Sequence, residues 1–532
     1  MQKKNFIKII FGYRNLLKEN KLDFISQYQE EISKIKLINN SFINNYFFPK
    51  TTYDKDTVFI NFFLSKIGIL NLRYYLIKFF FCYKSKLIVP LPEKWLNYLS
   101  NKNLNINIFF SKFFFKFIVI KYFFYGIYIN IRIILLLFKN LFSKDFKNFV
   151  FFNNINSSNL PSFIENSNTT LKENYSLYDF YKLNMGKDET KLFLFSSENQ
   201  ELKKINFKKI KNDTFSYNRY PIQISLPLKY FFIFLKDTFA KIFLSFLSLI
   251  TGKFWNVFLL AEQPLMSLSR MKLQDNLPKE VIFHLSDLYY RPLWTYEMEN
   301  RGTNIYMLWY STNNQANYKK NIEEKFFYDW SNIIWQNHIV WNENHKIWLM
   351  KYLNNKNQNI IFYDYIWFND LSINLNLDNN IKYISIFPVT PFRRAYFSLI
   401  NEDEYQTLTC KNQIQFIKDI LELTAEKKYK ILLKNKRNLD RNHDKSYSNF
   451  LNTIDDRYVK IINENISPIK LIKRSMATIN FPFTSTAYLS HNFNLPTVYY
   501  DVTRRLKNFS LNQNIKIIND KSKLLEWINS LK

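Results

Sequence analysis

Glycine is almost missing: six residues in 532, and none after Gly302. A glycine-rich dinucleotide fingerprint or Walker loop is therefore excluded from the last 230 residues. Two cysteines, Cys82 and Cys410, lie far apart. They offer neither a disulfide framework nor a cysteine zinc site, and such usage fits a reducing, cytoplasmic compartment. The five histidines form no HExxH and no i, i+4 pair. Acids are scarce, 44 Asp and Glu against 74 Lys and Arg, for a net charge of +30. No uncharged run reaches the roughly 18 residues of a confident membrane span. At the N-terminus Lys8 and Arg14 interrupt the apolar part, so no signal peptide is read there.

What is present is apolar and aromatic. At 47% hydrophobic and 19% aromatic the chain can bury a large core, and its length suits two to four domains. The positive charge points to a polyanion, although an AT-rich coding sequence would produce the same Lys, Asn, Ile, Phe and Tyr bias. Placement is therefore more telling than total. Residues 113–142 form the longest greasy stretch, interrupted by Lys116, Lys121, Arg132 and Lys139. On a helix, Lys121, Tyr128, Arg132 and Lys139 fall within about 40° of one another. A narrow cationic stripe on an apolar cylinder suits a helix lying in the headgroup layer. In 229–251, Lys236, Asp237, Lys241, Ser245 and Ser248 share one half of the wheel, and Phe231, Leu235, Phe239, Ile242 and Phe246 the other. The expected location is peripheral, on the cytoplasmic face of the inner membrane. Cations set sparsely on greasy helices do not make a nucleic-acid surface, so none is expected as partner.

Residues 153–215 are the most polar stretch and read as loops and short helices. From about 279 the pattern is cleaner, and from 381 strand and helix alternate strictly. Strands are read at 429–437, 457–463, 476–483 and 496–501, and helices at 411–428, 467–475, 484–493 and 521–532. Such alternation implies parallel sheets covered on both faces. The expectation is an α/β fold of two Rossmann-like domains facing a cleft, with amphipathic helical insertions in the N-terminal half. A variable Phe-rich region would span 1–254, an N-terminal-lobe core 255–379 and a C-terminal nucleotide-sugar domain 380–532.

Ligands of open α/β sheets bind beyond the carboxyl ends of strands. Three loops qualify. One carries Lys434, Lys436 and Arg437; the next Pro482, Phe483, Thr484, Ser485 and Thr486; the third Asp501, Arg504 and Arg505. A single hydroxyl opening a helix is ordinarily an N-cap. Three in succession at a strand end make an anion site, with the cations neutralising a leaving phosphate in place of a metal. The sole D-x-D, Asp54-Lys55-Asp56, precedes a strand and is set aside. No metal and no cofactor is expected. Candidates for a general base are Asp287, after the 281–285 strand, and Glu297, which is equally suited to pairing with Arg291; Asp364 is a third. His338, between Trp335 and Trp341, reads as packed. Arg393 and Arg394 suit an anion or domain docking.

The segments RPLWTYEMENRG (291–302), FPVTPFR (387–393), KNKR (434–437), SPIKLIKRSMATINFPFTSTA (467–487) and LPTVYYD (495–501) resemble bacterial polysaccharide-biosynthesis proteins of the PFTS-motif kind. That resemblance covers roughly 255–505. It implies a GT-B-like glycosyltransferase acting in capsule or O-antigen assembly, with a glycan or lipid-linked acceptor. It also implies a nucleotide-sugar donor held by Lys434, Lys436, Arg437, Thr484, Ser485 and Thr486, and marks Arg291, Trp294, Glu297 and Asp501 as motif positions. Asn480 departs from the pattern, where a small residue is more usual, and is expected to loosen the donor pocket. The rivals are a nucleotide-sugar epimerase and a non-catalytic membrane-peripheral assembly protein.

Overall fold

The computed structural model describes 31–38, 46–67, 86–142, 149–153, 191–194, 215–217, 222–283, 291–309, 333–362, 375–391, 408–504 and 515–531, with a few single residues and short gaps inside these ranges. It opens with helices α1 (Lys55–Ile67), α2 (Glu93–Asn101) and α3 (Ile108–Lys139), followed by strands β1 (Phe149–Asn153), β2 (Lys191–Leu194) and β3 (Phe215–Tyr217). Helices α4 (Leu228–Ile250), α5 (Phe254–Leu259) and α6 (Gln263–Met271) precede β4 (Glu280–Phe283), α7 (Leu293–Glu299), β5 (Asn304–Leu308), β6 (Asn337–Val340), α8 (Glu343–Tyr352) and β7 (Asn359–Phe362). The C-terminal part runs β8 (Lys382–Phe387), α9 (Cys410–Thr424), β9 (Tyr429–Lys434), α10 (Lys445–Leu451), β10 (Val459–Ile462), α11 (Pro468–Arg474) and β11 (Ala477–Asn480). It closes with α12 (Ser485–Asn492), β12 (Thr497–Tyr500), β13 (Lys516–Ile518) and α13 (Lys521–Asn529).

Helix starts follow local chemistry. Asn107, Asn342, Thr409, Ser467 and Asp520 each accept a backbone N–H of the first turn with the side chain, and Pro468 follows Ser467 at the first helical position. Gly302, with φ at 91°, turns the chain from α7 into β5, a conformation that costs a glycine nothing.

Two parallel sheets result, as the alternation requires. One has six strands in the order β10-β9-β8-β11-β12-β13; the other has seven, β3-β2-β1-β4-β5-β6-β7. Counted within each sheet, both begin 3-2-1-4-5-6, the doubly wound Rossmann order, with a switch point between the first and fourth strands. In the C-terminal sheet that point lies between β8 and β11, paired Ile386↔Ile479 and Phe387↔Asn480.

The sheet strands differ from the sequence reading in one region. Within 153–215, read as loops and short helices, lie β2 and most of β3, so the seven-stranded sheet starts at Phe149. Three- and four-residue strands in an Asn/Ser/Lys-rich context have too little alternation to stand out. Strand β6 was missed because Asn337 and His338 open it, although both are buried.

One apolar cluster joins the helices of the N-terminal half to one face of the six-stranded sheet, where Tyr383, Phe387, Leu432, Ile469, Ile472 and Leu489 lie; a second fills the opposite face. Helices α3 and α4 pack side by side, Phe123 near Phe246 at 6.2 Å and Phe138 near Phe231 at 6.5 Å between ring centroids. Their sequence order makes the pair antiparallel. Gly126 lets α3 approach Leu260 so closely that a Cβ there would sit 2.9 Å from that side chain. Asn130, fully buried, donates to the carbonyls of Gly126 (2.7 Å) and Leu260 (3.0 Å). By length and composition alone, α3 could cross a membrane.

Candidate active site

The loops leaving the C-terminal sheet converge because its strands end level. Ile386 of β8 pairs with Leu433 on one side and Ile479 on the other, so Lys434, Phe387 and Asn480 form one row. Tyr499 extends that row on β12. With strands about 4.8 Å apart, the backbones at Lys434 and Asn480 are about 10 Å from each other. Lys434, Lys436 and the 484–486 turn are thereby brought to the same end of the sheet, across its switch point. Lys434 is buried and Lys436 exposed; Arg437 lies outside the described residues.

The turn after β11 is tightly built. Phe483 takes φ at 61°, the left-handed region, which costs a bulky residue about 1–2 kcal/mol. Its ring offsets that by packing on Tyr499, 5.6 Å between centroids, in a small cluster with Ala487, Ile515 and Ile517. The three hydroxyls then separate in role. Thr484 occupies the N-cap of α12 but turns its hydroxyl back to the Phe481 carbonyl (2.9 Å), so no side chain caps the helix. Thr486 donates to Asn480 Oδ1 (2.7 Å). Among the described residues the Ser485 hydroxyl has no hydrogen-bond partner, and it stands in the first, uncapped turn. An anion arriving here would meet the Ser485 hydroxyl and the first-turn amides at the positive helix end.

Asn480 does the reverse of the expected loosening. It is fully buried, its amide donates to Thr478 Oγ1 (3.0 Å) and its carbonyl receives Thr486, so it pins α12 to the sheet. Thr478 continues the chain to the Thr497 hydroxyl at 2.8 Å. One loop at the switch point was not singled out from sequence: residues 388–390 after β8, where Val389 N–H donates to Gln413 Oε1 (2.9 Å) and Thr390 is buried. The signal was available, since FPVTP follows a buried strand just as FPFTS does.

Asp501 is 1% exposed, and its Oδ1 accepts from both the N–H (2.9 Å) and the hydroxyl (2.6 Å) of Thr503. It organises the turn after β12. Arg504 follows at φ 57° and is exposed; Arg505 is outside the described residues.

On the N-terminal side, Asp287 follows β4 in sequence but lies outside the described residues, as do Asp364, Arg393 and Arg394. Glu297 is 1% exposed and held on two sides: Oε1 accepts from Arg270 Nη2 (2.5 Å) and from the Lys50 N–H (2.8 Å). Its pairing is with Arg270, and Arg291 instead pairs with Glu299, stacks over Tyr296 at 4.2 Å and donates to Thr295 Oγ1 (2.9 Å). Arg301 donates to the Ser269 and Arg270 carbonyls, and Trp294 packs on Phe283. The 291–301 segment is thus a joint binding α7 to α6 and to the 48–53 strand of chain. His338 is packed, as expected: its Nδ1 accepts from Trp309 Nε1 (3.2 Å), Nε2 faces Gln358 Oε1 (2.7 Å), and burial lowers its pKa to about 4. Among the described residues no three His, Cys, Asp or Glu side chains group as a metal site would require.

Comparison with known proteins follows the same outline. Solved structures similar to this chain include the wall teichoic acid polymerase TagF, at 11% identity over 72% of this chain and 79% of that one (TM-score 0.34). The lipopolysaccharide outer core galactosyltransferase WaaB is 12% identical over 72% and 89% (TM-score 0.34). The UDP-GlcNAc 2-epimerase from Neisseria meningitidis is 11% identical over 72% and 90% (TM-score 0.35). No curated protein matches the sequence. Residues 233–528, more than half of the chain and all of the PFTS turn with its sheet, match the family described as polysaccharide biosynthesis PFTS motif protein, and the chain belongs to that family.

Proposed function

We propose that the protein is a metal-independent glycosyltransferase that moves a sugar from a nucleotide-sugar donor to a growing surface polysaccharide or its lipid-linked precursor. The observation that carries this reading is the level row Lys434–Phe387–Asn480, which brings two lysines and an uncapped helix start together at the switch point of a Rossmann-ordered sheet. Membership in a polysaccharide-biosynthesis family supplies the substrate class.

In this reading the donor diphosphate lies against Ser485 and the first-turn amides of α12, with Lys434 and Lys436 alongside. A carboxylate takes the proton of the acceptor hydroxyl as its oxygen bonds to the anomeric carbon. The bond from that carbon to the phosphate oxygen breaks, and the leaving diphosphate keeps the electron pair. Asp287 is the proposed base. Glu297, already committed to Arg270 and Lys50, positions the joint behind it.

Purified protein incubated with nucleotide sugars tests this directly. Nucleotide release that depends on an acceptor and persists in EDTA supports transfer. Acceptor-independent interconversion of the free donor would replace it with an epimerase. No binding of any nucleotide would leave the assembly-protein reading.

A further inference from the structure

Helices α3 and α4 turn the usual order of polarity outward. On α4 the buried positions include Thr238, Lys241, Ser245 and Ser248. Lys241 Nζ binds Asp237 (2.6 Å) and Ser267 (2.7 Å), and Ser248 Oγ accepts from Asn256 Nδ2 (3.0 Å). On the opposite side Phe232, Phe239, Phe243 and Ile250 are 61, 62, 60 and 68% exposed. On α3, Gly126 and Asn130 face inward, whereas Phe124, Leu135 and Phe138 are 64, 64 and 67% exposed. A helix facing water sorts these residues the other way round. Because the two helices lie side by side, their outer faces form one apolar surface, far beyond the scattered exposed side chains of ordinary proteins.

We propose that this surface docks in the plane of an anionic phospholipid bilayer, with both helix axes parallel to the membrane. Charge selects the occupant. Helix α3 has five cations and no acid, and the one acid of α4, Asp237, is turned inward onto Lys241. Lys116, Lys121, Lys139 and Lys236 are exposed among the aromatic side chains, as in a helix seated at headgroup depth. A second copy of the chain would bring these cations face to face, which is unfavourable.

Packing selects the orientation. The inner face of α3 lies against α2, α5 and α6, and that of α4 against α5 and α6. A spanning arrangement would drag Glu262–Lys66, Asp237–Lys241 and Arg270–Glu297 into hydrocarbon with them. At 32 residues α3 is about 48 Å long, against a hydrocarbon core of about 30 Å. The placement is independent of the transfer chemistry proposed above.

The test is flotation of the full-length protein with sealed vesicles of phosphatidylcholine alone or with phosphatidylglycerol added. The protein should float with the anionic vesicles, less so in high salt. The triple exchange Phe124→Glu, Phe239→Glu and Phe243→Glu, all on outermost side chains, should lower vesicle affinity about tenfold or more while leaving circular dichroism unchanged. If the triple variant loses its fold, the single exchanges Phe124→Glu and Phe239→Glu replace it, each expected to weaken binding measurably. Orientation is read with Lys112→Cys and Lys139→Cys, at the two ends of α3, in a background where Cys82 and Cys410 are serine. On sealed vesicles an impermeant maleimide should label both ends; protection of one end would show a span and overturn the in-plane arrangement. Equal binding by wild type and the glutamate variants would overturn the docking face. So would a wild type that ignores both vesicle types and instead forms a dimer that the variants abolish.

Discussion

The hydroxyl of Thr486 donates to Oδ1 of Asn480 across 2.7 Å, joining the first turn of α12 to the end of β11 from within the core. The motif's hydroxyls are therefore not equivalent. Thr486→Ala leaves a buried amide oxygen without its donor and should cost about 1–3 kcal/mol of stability. Ser485→Ala removes no hydrogen bond found among the described residues and should leave Tm nearly unchanged while weakening nucleotide binding. Thermal unfolding and a nucleotide titration of the two single variants separate the roles; equal Tm losses in both would contradict the assignment.

Glu297 offers a second contrast. Replacing it by alanine strands Arg270 and releases the Lys50 N–H, and breaking a buried pair of this kind costs about 3–5 kcal/mol. The expected result is a large drop in Tm. An unchanged Tm with activity abolished would instead make Glu297 a reacting group.

At Gly126 even a methyl group is too much. The added Cβ would meet three atoms of Leu260 at 2.9 Å, so Gly126→Ala should destabilise by about 1–3 kcal/mol despite alanine's better helix propensity. Gly126→Ala combined with Leu260→Ala should recover part of that loss, measured by denaturant unfolding.

Acid should weaken the N-terminal sheet through two histidines. Burial lowers the pKa of His338 to about 4 and that of His345 to about 3. Both are neutral in the folded state where the unfolded chain, titrating near 6.5, already binds a proton. Their neutral burial is without penalty above pH 6.5, and stability falls as pH drops from there towards 4. Tm measured between pH 7 and 5 should decline, and His345→Leu should reduce the slope. A pH-independent Tm would contradict the buried neutral state.

The C-terminal sheet was legible because each of its βα units announces itself. ILL, ATIN and VYY are buried runs, and Pro468 after Ser467 marks a helix start. The position of the PFTS turn at a strand end could also be read directly. What could not be read was which hydroxyl faces inward, because Asn480 and Thr486 are six residues apart and meet only once the strand and helix are folded. The same holds for Glu297. Sequence offered Arg291 as partner within one helix, whereas the fold supplied Arg270 from the preceding one. In α4 the helical wheel separated polar from apolar correctly, but periodicity carries no sign for which half faces the protein.

Strands β1 to β3 leave the end of α3 and return to the start of α4 before the sheet resumes at β4. A fragment starting at 255, where the sequence suggests a boundary, would lack three of the seven strands. It would begin its sheet at β4, presenting a row of open N–H and C=O groups to any passing chain. Dissecting the protein there should give aggregates in place of a working lobe, so engineered truncations and fusions belong at the ends of the whole chain.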